Sequence, residues 1–158
     1  MYHEKILIAL DYDPTAQKIA EAGYELAKAM NAQSILLHLT SYATYYSSLN
    51  YSPIIGFDSF RGLVETDSAE KLKKAAQDYL DKSKQHLGDD NIETVVKNGD
   101  FGESILSTAA ELKVDIIIMG THSRRGLEKI LMGSVAEKVL HHCLIPLFII
   151  PTKTSEKK

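Results

Sequence analysis

Residues 5–39 read KILIALDYDPTAQKIAEAGYELAKAMNAQSILLHL, and this stretch decides the fold. It opens on an almost continuous apolar run, KILIAL, and closes on another, SILLHL at residues 34–39. Short runs rich in Ile and Leu read as strands buried on both faces. Between them Ile19, Gly23, Leu26, Ala27 and Met30 fall on one face of a helix. Asp13-Pro14 ahead of that stripe reads as an N-cap followed by proline at the first helical position. A strand, a helix and a second strand form a βαβ unit, which implies parallel pairing and a right-handed crossover.

The same alternation continues outward. IETVV at residues 92–96, VDIIIM at 114–119 and LFII at 147–150 read as three more strands. Leu72, Ala75, Ala76, Tyr79, Leu80 and Ser83 form one further helical stripe. Ile105, Leu106, Ala109 and Leu112 form another, and Val135, Ala136, Val139, Leu140 and Cys143 a last one. Asp100 with Glu103, and Ser134 with Glu137, have capping-box spacing. The expectation is a single α/β domain over residues 1–151, with a charged tail at 152–158. Its core is a five-stranded, mostly parallel open sheet with helices on both faces, a Rossmann-like arrangement. Pro146 and Pro151 bracket the last strand and place it at an edge, because proline donates nothing to a ladder. Residues 41–64 break the pattern. This insert carries Tyr42, Tyr45, Tyr46 and Tyr51 and has no clean period. It reads equally as a lid, a partner surface or a loop without order.

Composition narrows the class. A chain of 158 residues builds one domain with a substantial core. A net charge of −3 supplies no basic field for nucleic acid. No apolar run approaches the roughly 18 residues of a membrane span. One cysteine, Cys143, forms no internal disulfide, and no secretory leader opens the chain, so a cytoplasmic location is expected.

In an open parallel sheet, ligands bind beyond the carboxyl ends of the strands where strand order reverses. The first strand runs through Ala9 and Leu10 into Asp11. The fourth runs through Met119 into GTHSRRG at residues 120–126, and Gly133-Ser134 follows at the mouth of a helix. This chemistry suits a phosphate chain. Glycine lets backbone approach a ligand closely, and a helix N-terminus presents free N–H groups with a partial positive charge. Ser134 adds a hydroxyl, and Arg124, Arg125 and Lys129 add charge. Asp11 suits a divalent metal on the phosphates, or equally a cap for the next helix. Gly120 also reads as a plain turn, and Ser134 as a cap with or without a ligand. His38 reads as a hydrogen-bonded core histidine, and Cys143 as apolar filling.

The stretch GTHSRRGLEKILMGSVAEKVLHHCLIPLFIIP, from Gly120 to Pro151, resembles the C-terminal signature of the ATP-binding, glycine-loop universal stress proteins. That pattern is glycine, two residues, glycine, nine residues, glycine, then serine or threonine. Gly120, Gly133 and Ser134 fall on it, while Ser123 stands where the second glycine belongs. The stretches at residues 5–39 and 98–120 are similar to the family as well, so the likeness covers all but the tyrosine-rich insert. The resemblance implies the adenine-nucleotide alpha hydrolase-like fold and ATP as ligand, with Mg²⁺ or Mn²⁺. It puts Asp11, with Ala9 and Leu10 before it, on the adenosine and metal side, and the backbone of Leu39 against adenine. Met119, Gly120, His122, Ser123, Arg124, Gly126, Gly133, Ser134 and Val135 would surround ribose and phosphates. It also implies a homodimer through the last strand, where Leu147 to Ile150 make an apolar edge.

No GxxxxGK[ST], no dinucleotide fingerprint and no zinc spacing occurs. No nucleophile with a base and an orienting partner is recognisable. By the resemblance, the expected function is nucleotide-responsive regulation or stress tolerance, with at most weak ATP hydrolysis. The alternatives are a nucleotide-free dimeric interaction protein of the same fold, which Ser123 favours and Asp11 and Gly133-Ser134 oppose, and a slow ATPase.

Overall fold

The computed structural model describes residues 4–10, 15–41, 69–121 and 133–151. The strands are β1 (Lys5–Leu10), β2 (Gln33–Leu39), β3 (Glu93–Lys97), β4 (Ile116–Gly120) and β5 (Leu147–Ile150). The helices are α1 (Ala16–Ala29), α2 (Ala69–Leu87), α3 (Phe101–Leu112) and α4 (Ser134–His142). The sheet has five strands in the order β3-β2-β1-β4-β5, and all four pairings are parallel. β5, between its two prolines, is an edge strand as expected.

The near-continuous apolar strands are buried on both faces because side chains alternate between two cores. Leu7, Ile35, Leu37 and Ile117 face α3 and α4, packing on Ile105, Ala109, Ala136 and Val139. Ile6, Ile8, Leu36 and Ile118 face the other way, packing on Ile19, Ala20 and Ala27 of α1 and Leu80 of α2. Two members of the expected stripes are exposed instead, Met30 at 38% and Leu140 on α4 at 49%, whereas Cys143, past the end of α4, packs against the first core.

The helix starts show which local signals operate. Asp100 caps α3, its Oδ2 accepting the Glu103 N–H at 3.0 Å. The Glu103 carboxylate turns to Lys138 of α4, 3.4 Å away, and Lys138 also reaches Asp100 at 3.2 Å. The Lys138 stem lies across Gly102, where a Cβ would meet its Cδ at 2.8 Å. α1 differs from expectation. Its cap position is Thr15, two residues past Asp13, while Asp13 and Pro14 lie outside the described residues. The tyrosine-rich segment from residue 42 onward and the charged tail lie outside them too. Among the described residues no helix is long and apolar enough to cross a membrane.

Candidate functional site

The sheet opens between its two central strands. The β1–β4 ladder pairs Ile6 with Ile116, Leu7 with Ile117 and Ile8 with Ile118, and goes no further among the described residues. β1 continues through Ala9 and Leu10 on β2 alone, opposite Leu37 and His38. β4 continues through Met119 and Gly120 on β5 alone, opposite Ile149 and Ile150. The two strands therefore part at their carboxyl ends, each held by its outer neighbour. The chain also leaves β1 toward β2 on one side and has β4 on the other, so the split coincides with the reversal of strand order.

The β4 lip is tied to the start of α4. Thr121 donates its N–H to the Ile150 carbonyl at 3.1 Å and accepts the Gly133 N–H at 2.7 Å. Gly133 is extended (φ −69°, ψ 163°), and its carbonyl takes the Glu137 N–H at 2.9 Å, the first bond of the helix. Gly133 is thus the N-cap, and Ser134, expected there, is the first helical residue. The shift follows from the backbone: the helix begins on the Gly133 carbonyl, which leaves the exposed Ser134 hydroxyl one position too late to cap. The N–H groups of Ser134, Val135 and Ala136 consequently have no acceptor within the helix, and they carry the positive end of its dipole beside Gly120 and Thr121.

The β1 lip is tied by a side chain. His38 is fully buried, and its Nδ1 lies 2.7 Å from the Leu10 carbonyl. A carbonyl only accepts, so Nδ1 carries the proton. The ring packs against Tyr79 of α2 with centroids 4.7 Å apart. Burial pushes the imidazole pKa down to about 3, and the bond to Leu10 offsets this only in part. His38 is therefore the hydrogen-bonded core histidine expected from the sequence, neutral at ordinary pH.

A third rim lies at the ends of β2 and β3. Leu39 sits one residue beyond the last β1–β2 pair and opposite Lys97. The Thr40 N–H donates to the Lys97 carbonyl at 2.9 Å and its hydroxyl to Asn98 Oδ1 at 2.7 Å. Ser41 Oγ donates to the Gly99 carbonyl at 2.7 Å. Gly99 has φ +134°, a region that disfavours other residues. Sequence reading missed this rim. Its signal was a pair of small polar clusters, Thr40-Ser41 and Asn98-Gly99, directly after two strands.

Of the expected site residues, Ala9, Leu10, Leu39 and Met119 are buried, so their side chains belong to the core and only backbone faces the opening. Gly120, Gly133 and Val135 are half-buried and Ser134 is exposed, all at the same end of the sheet. Asp11, His122, Ser123, Arg124 and Gly126 lie outside the described residues, as do Arg125 and Lys129. Among the described residues no group of three His, Cys, Asp or Glu side chains is placed to hold a metal. A cleft of about 110 Å³ at the amino end of β2 is lined by Tyr24, Lys28, Gln33, Asp89 and Asn91. Its polar groups bond mainly to one another. Tyr24 Oη donates to Asp89 at 2.7 Å, and the Asn91 N–H donates to the same carboxylate at 2.8 Å. These bonds hold Asp89 below the usual carboxylate range and lock the turn into β3.

A parallel sheet split at its central strands, with a glycine-led helix at the mouth, defines a Rossmann-like α/β domain. The chain belongs to the universal stress protein family, whose model matches residues 2–151. It is 29% identical over 150 residues to universal stress protein YxiE of Bacillus subtilis, spanning 92% of this chain and 97% of that one. It is 30% identical over 159 residues to universal stress protein MJ0577 of Methanocaldococcus jannaschii, spanning 97% and 98%. The solved MJ0577 structure superposes with a TM-score of 0.66, covering 98% of this chain and all of that one. A universal stress protein solved in complex with cAMP has the same fold, with a TM-score of 0.60 at 16% identity over 97% and 100% of the two chains.

Proposed function

We propose that this chain binds ATP in the opening between β1 and β4 and acts as a nucleotide-responsive regulatory or stress-tolerance protein. The observation that carries the reading is the split itself. Ala9-Leu10 and Met119-Gly120 each lack a central partner, and the Gly133–Thr121 bond starts α4 beside the β4 lip. Such a helix start suits a phosphate chain. Buried Ala9, Leu10 and Leu39 offer backbone to adenosine, and the solved complex of a related fold with cAMP supports an adenine nucleotide. Ser134 and Val135 would meet phosphate, with His122, Ser123, Arg124 and Gly126 around it. Asp11 would hold Mg²⁺ or Mn²⁺ on the phosphate oxygens. Two chains would pair through β5.

Calorimetric titration with ATP, with and without Mg²⁺ and with GTP as control, tests the reading. Saturable binding of about one ATP per chain, with GTP much weaker, is the expected result. A folded, nucleotide-free preparation that takes up no ATP would sink it. The second reading, an interaction protein without nucleotide, would then stand; Ser123 in place of a loop glycine is the observation that favours it.

A further inference from the structure

The two lips of the opening are held in different ways. Beyond Ile118, β4 leans on the β5 ladder and then on the Thr121–Gly133 bond. Beyond Ile8, β1 has β2 alone, and its pairing ends at Leu10 opposite His38. At that last pair the His38 side chain bonds the Leu10 carbonyl at 2.7 Å, from a fully buried position. The strand around it is Leu36, Leu37 and Leu39, all buried. Another leucine would fill such a site without any polar atom in the core. What the imidazole adds is one directed donor on the last carbonyl before Asp11, backed by Tyr79 at 4.7 Å. Buried β2, with partly buried Tyr79 of α2 behind it, thus fixes where β1 ends.

We infer that His38 is the positioning residue of the β1 lip: its Nδ1–H fixes the Leu10 carbonyl, and through it the end of β1 that borders the proposed nucleotide site. The inference rests on the proposed function for its binding half. Its structural half, a clip that orders the end of β1, stands apart from any ligand.

Asparagine and leucine variants separate the two halves. The amide nitrogen of Asn lies where Nδ1 lies, one bond beyond Cγ, so His38→Asn keeps a donor toward Leu10. His38→Leu keeps the apolar volume and loses the donor, and His38→Met serves if leucine fails to fold, because methionine adapts to irregular space. Amide hydrogen exchange is read first, on nucleotide-free protein, over residues 8–10 at the end of β1. Exchange there should rise at least tenfold in His38→Leu, stay near wild type in His38→Asn, and leave β4 and β5 unchanged. Affinity for MgATP should then fall tenfold or more in His38→Leu and stay within about threefold in His38→Asn. Equal exchange in all three proteins would overturn the clip. Raised exchange with unchanged ATP affinity would overturn the link to the nucleotide. Loss of affinity in both variants, in step with their melting temperatures, would reduce His38 to a packing residue. A wild type that binds no ATP would overturn the proposed function and the binding half together, while the exchange result still decides the clip.

Discussion

His38 makes the acid response of this protein specific at the residue scale. Its folded pKa of about 3 lies below the ordinary histidine value of 6.5 because the ring is buried. Between those two values the unfolded chain binds a proton that the folded chain does not, so stability increases with pH. It is greatest above the unfolded value and is lost as pH falls from 6.5 toward 3. The slope approaches about 1.4 kcal/mol per pH unit, which amounts to roughly 2 kcal/mol between pH 7 and pH 5. Asp89 and Asp100, held low by hydrogen bonds, and Glu21, held low chiefly by its hydrogen bond from His86, lose their contributions further down, below about pH 4.5. Urea unfolding at pH 7, 6 and 5 should therefore show the decline in wild type. His38→Asn, which has no group that titrates there, should be flatter by about that amount. Parallel curves for the two proteins would show that the ring is not held neutral.

At the element scale, the start of α3 offers a test of which contact matters. Asp100 both caps the helix and meets Lys138, but only the cap satisfies a backbone donor that has no other acceptor in the helix. Asp100→Ala should cost about 1 kcal/mol, the usual worth of a side-chain cap. Asp100→Asn should recover most of it, since the amide oxygen still accepts from the Glu103 N–H. Lys138→Ala, which removes exposed ion pairs and the stem's contact with Gly102, should shift the denaturation midpoint much less. The opposite ranking would mean that the α3–α4 ion pairs, rather than the cap, hold these helices. The two capping boxes also show what could be read in advance. Asp100 with Glu103 was legible because an acidic cap and a helical stripe begin together. Ser134 with Glu137 had the same spacing, yet the helix starts on Gly133, because a glycine with an extended backbone supplies the first carbonyl equally well. The five strands were legible from their apolar runs, to within two residues at each end. The strand ends that shape the opening were not. That the β1–β4 ladder stops at Ile8 and Ile118, or which carbonyl His38 finds, depends on twist and register between segments far apart in the chain, and no local pattern records that.

At the scale of the whole molecule, the position of β5 was legible from two prolines, but the surface beside it was not. The helical stripe of α4 predicts that Leu140 is covered, whereas it is 49% exposed, with Leu144 98% exposed and Phe148 of the edge strand 45% exposed. These three large apolar side chains lie on α4, on the edge strand β5 and on the segment between them. An unpaired apolar edge is a liability that proteins cover or pair. The proposed homodimer through Leu147–Ile150 would cover this one, and in a two-fold arrangement each side chain counts twice. Phe148 is already half withdrawn from solvent, so completing its burial in both chains contributes roughly 1.5–3 kcal/mol. Phe148→Lys should remove that and set two like charges near each other, weakening the dimer by roughly 10- to 100-fold or more. Light scattering at micromolar concentration should then show the mass fall from two chains to one. ATP binding should persist, because Phe148 lies within the sheet rather than at the lips of the opening. Wild type that already runs as one chain would rule out the β5 dimer. A Phe148→Lys protein that stays dimeric would place the contact on another face, and the exposed Leu140 and Leu144 would then need a different occupant.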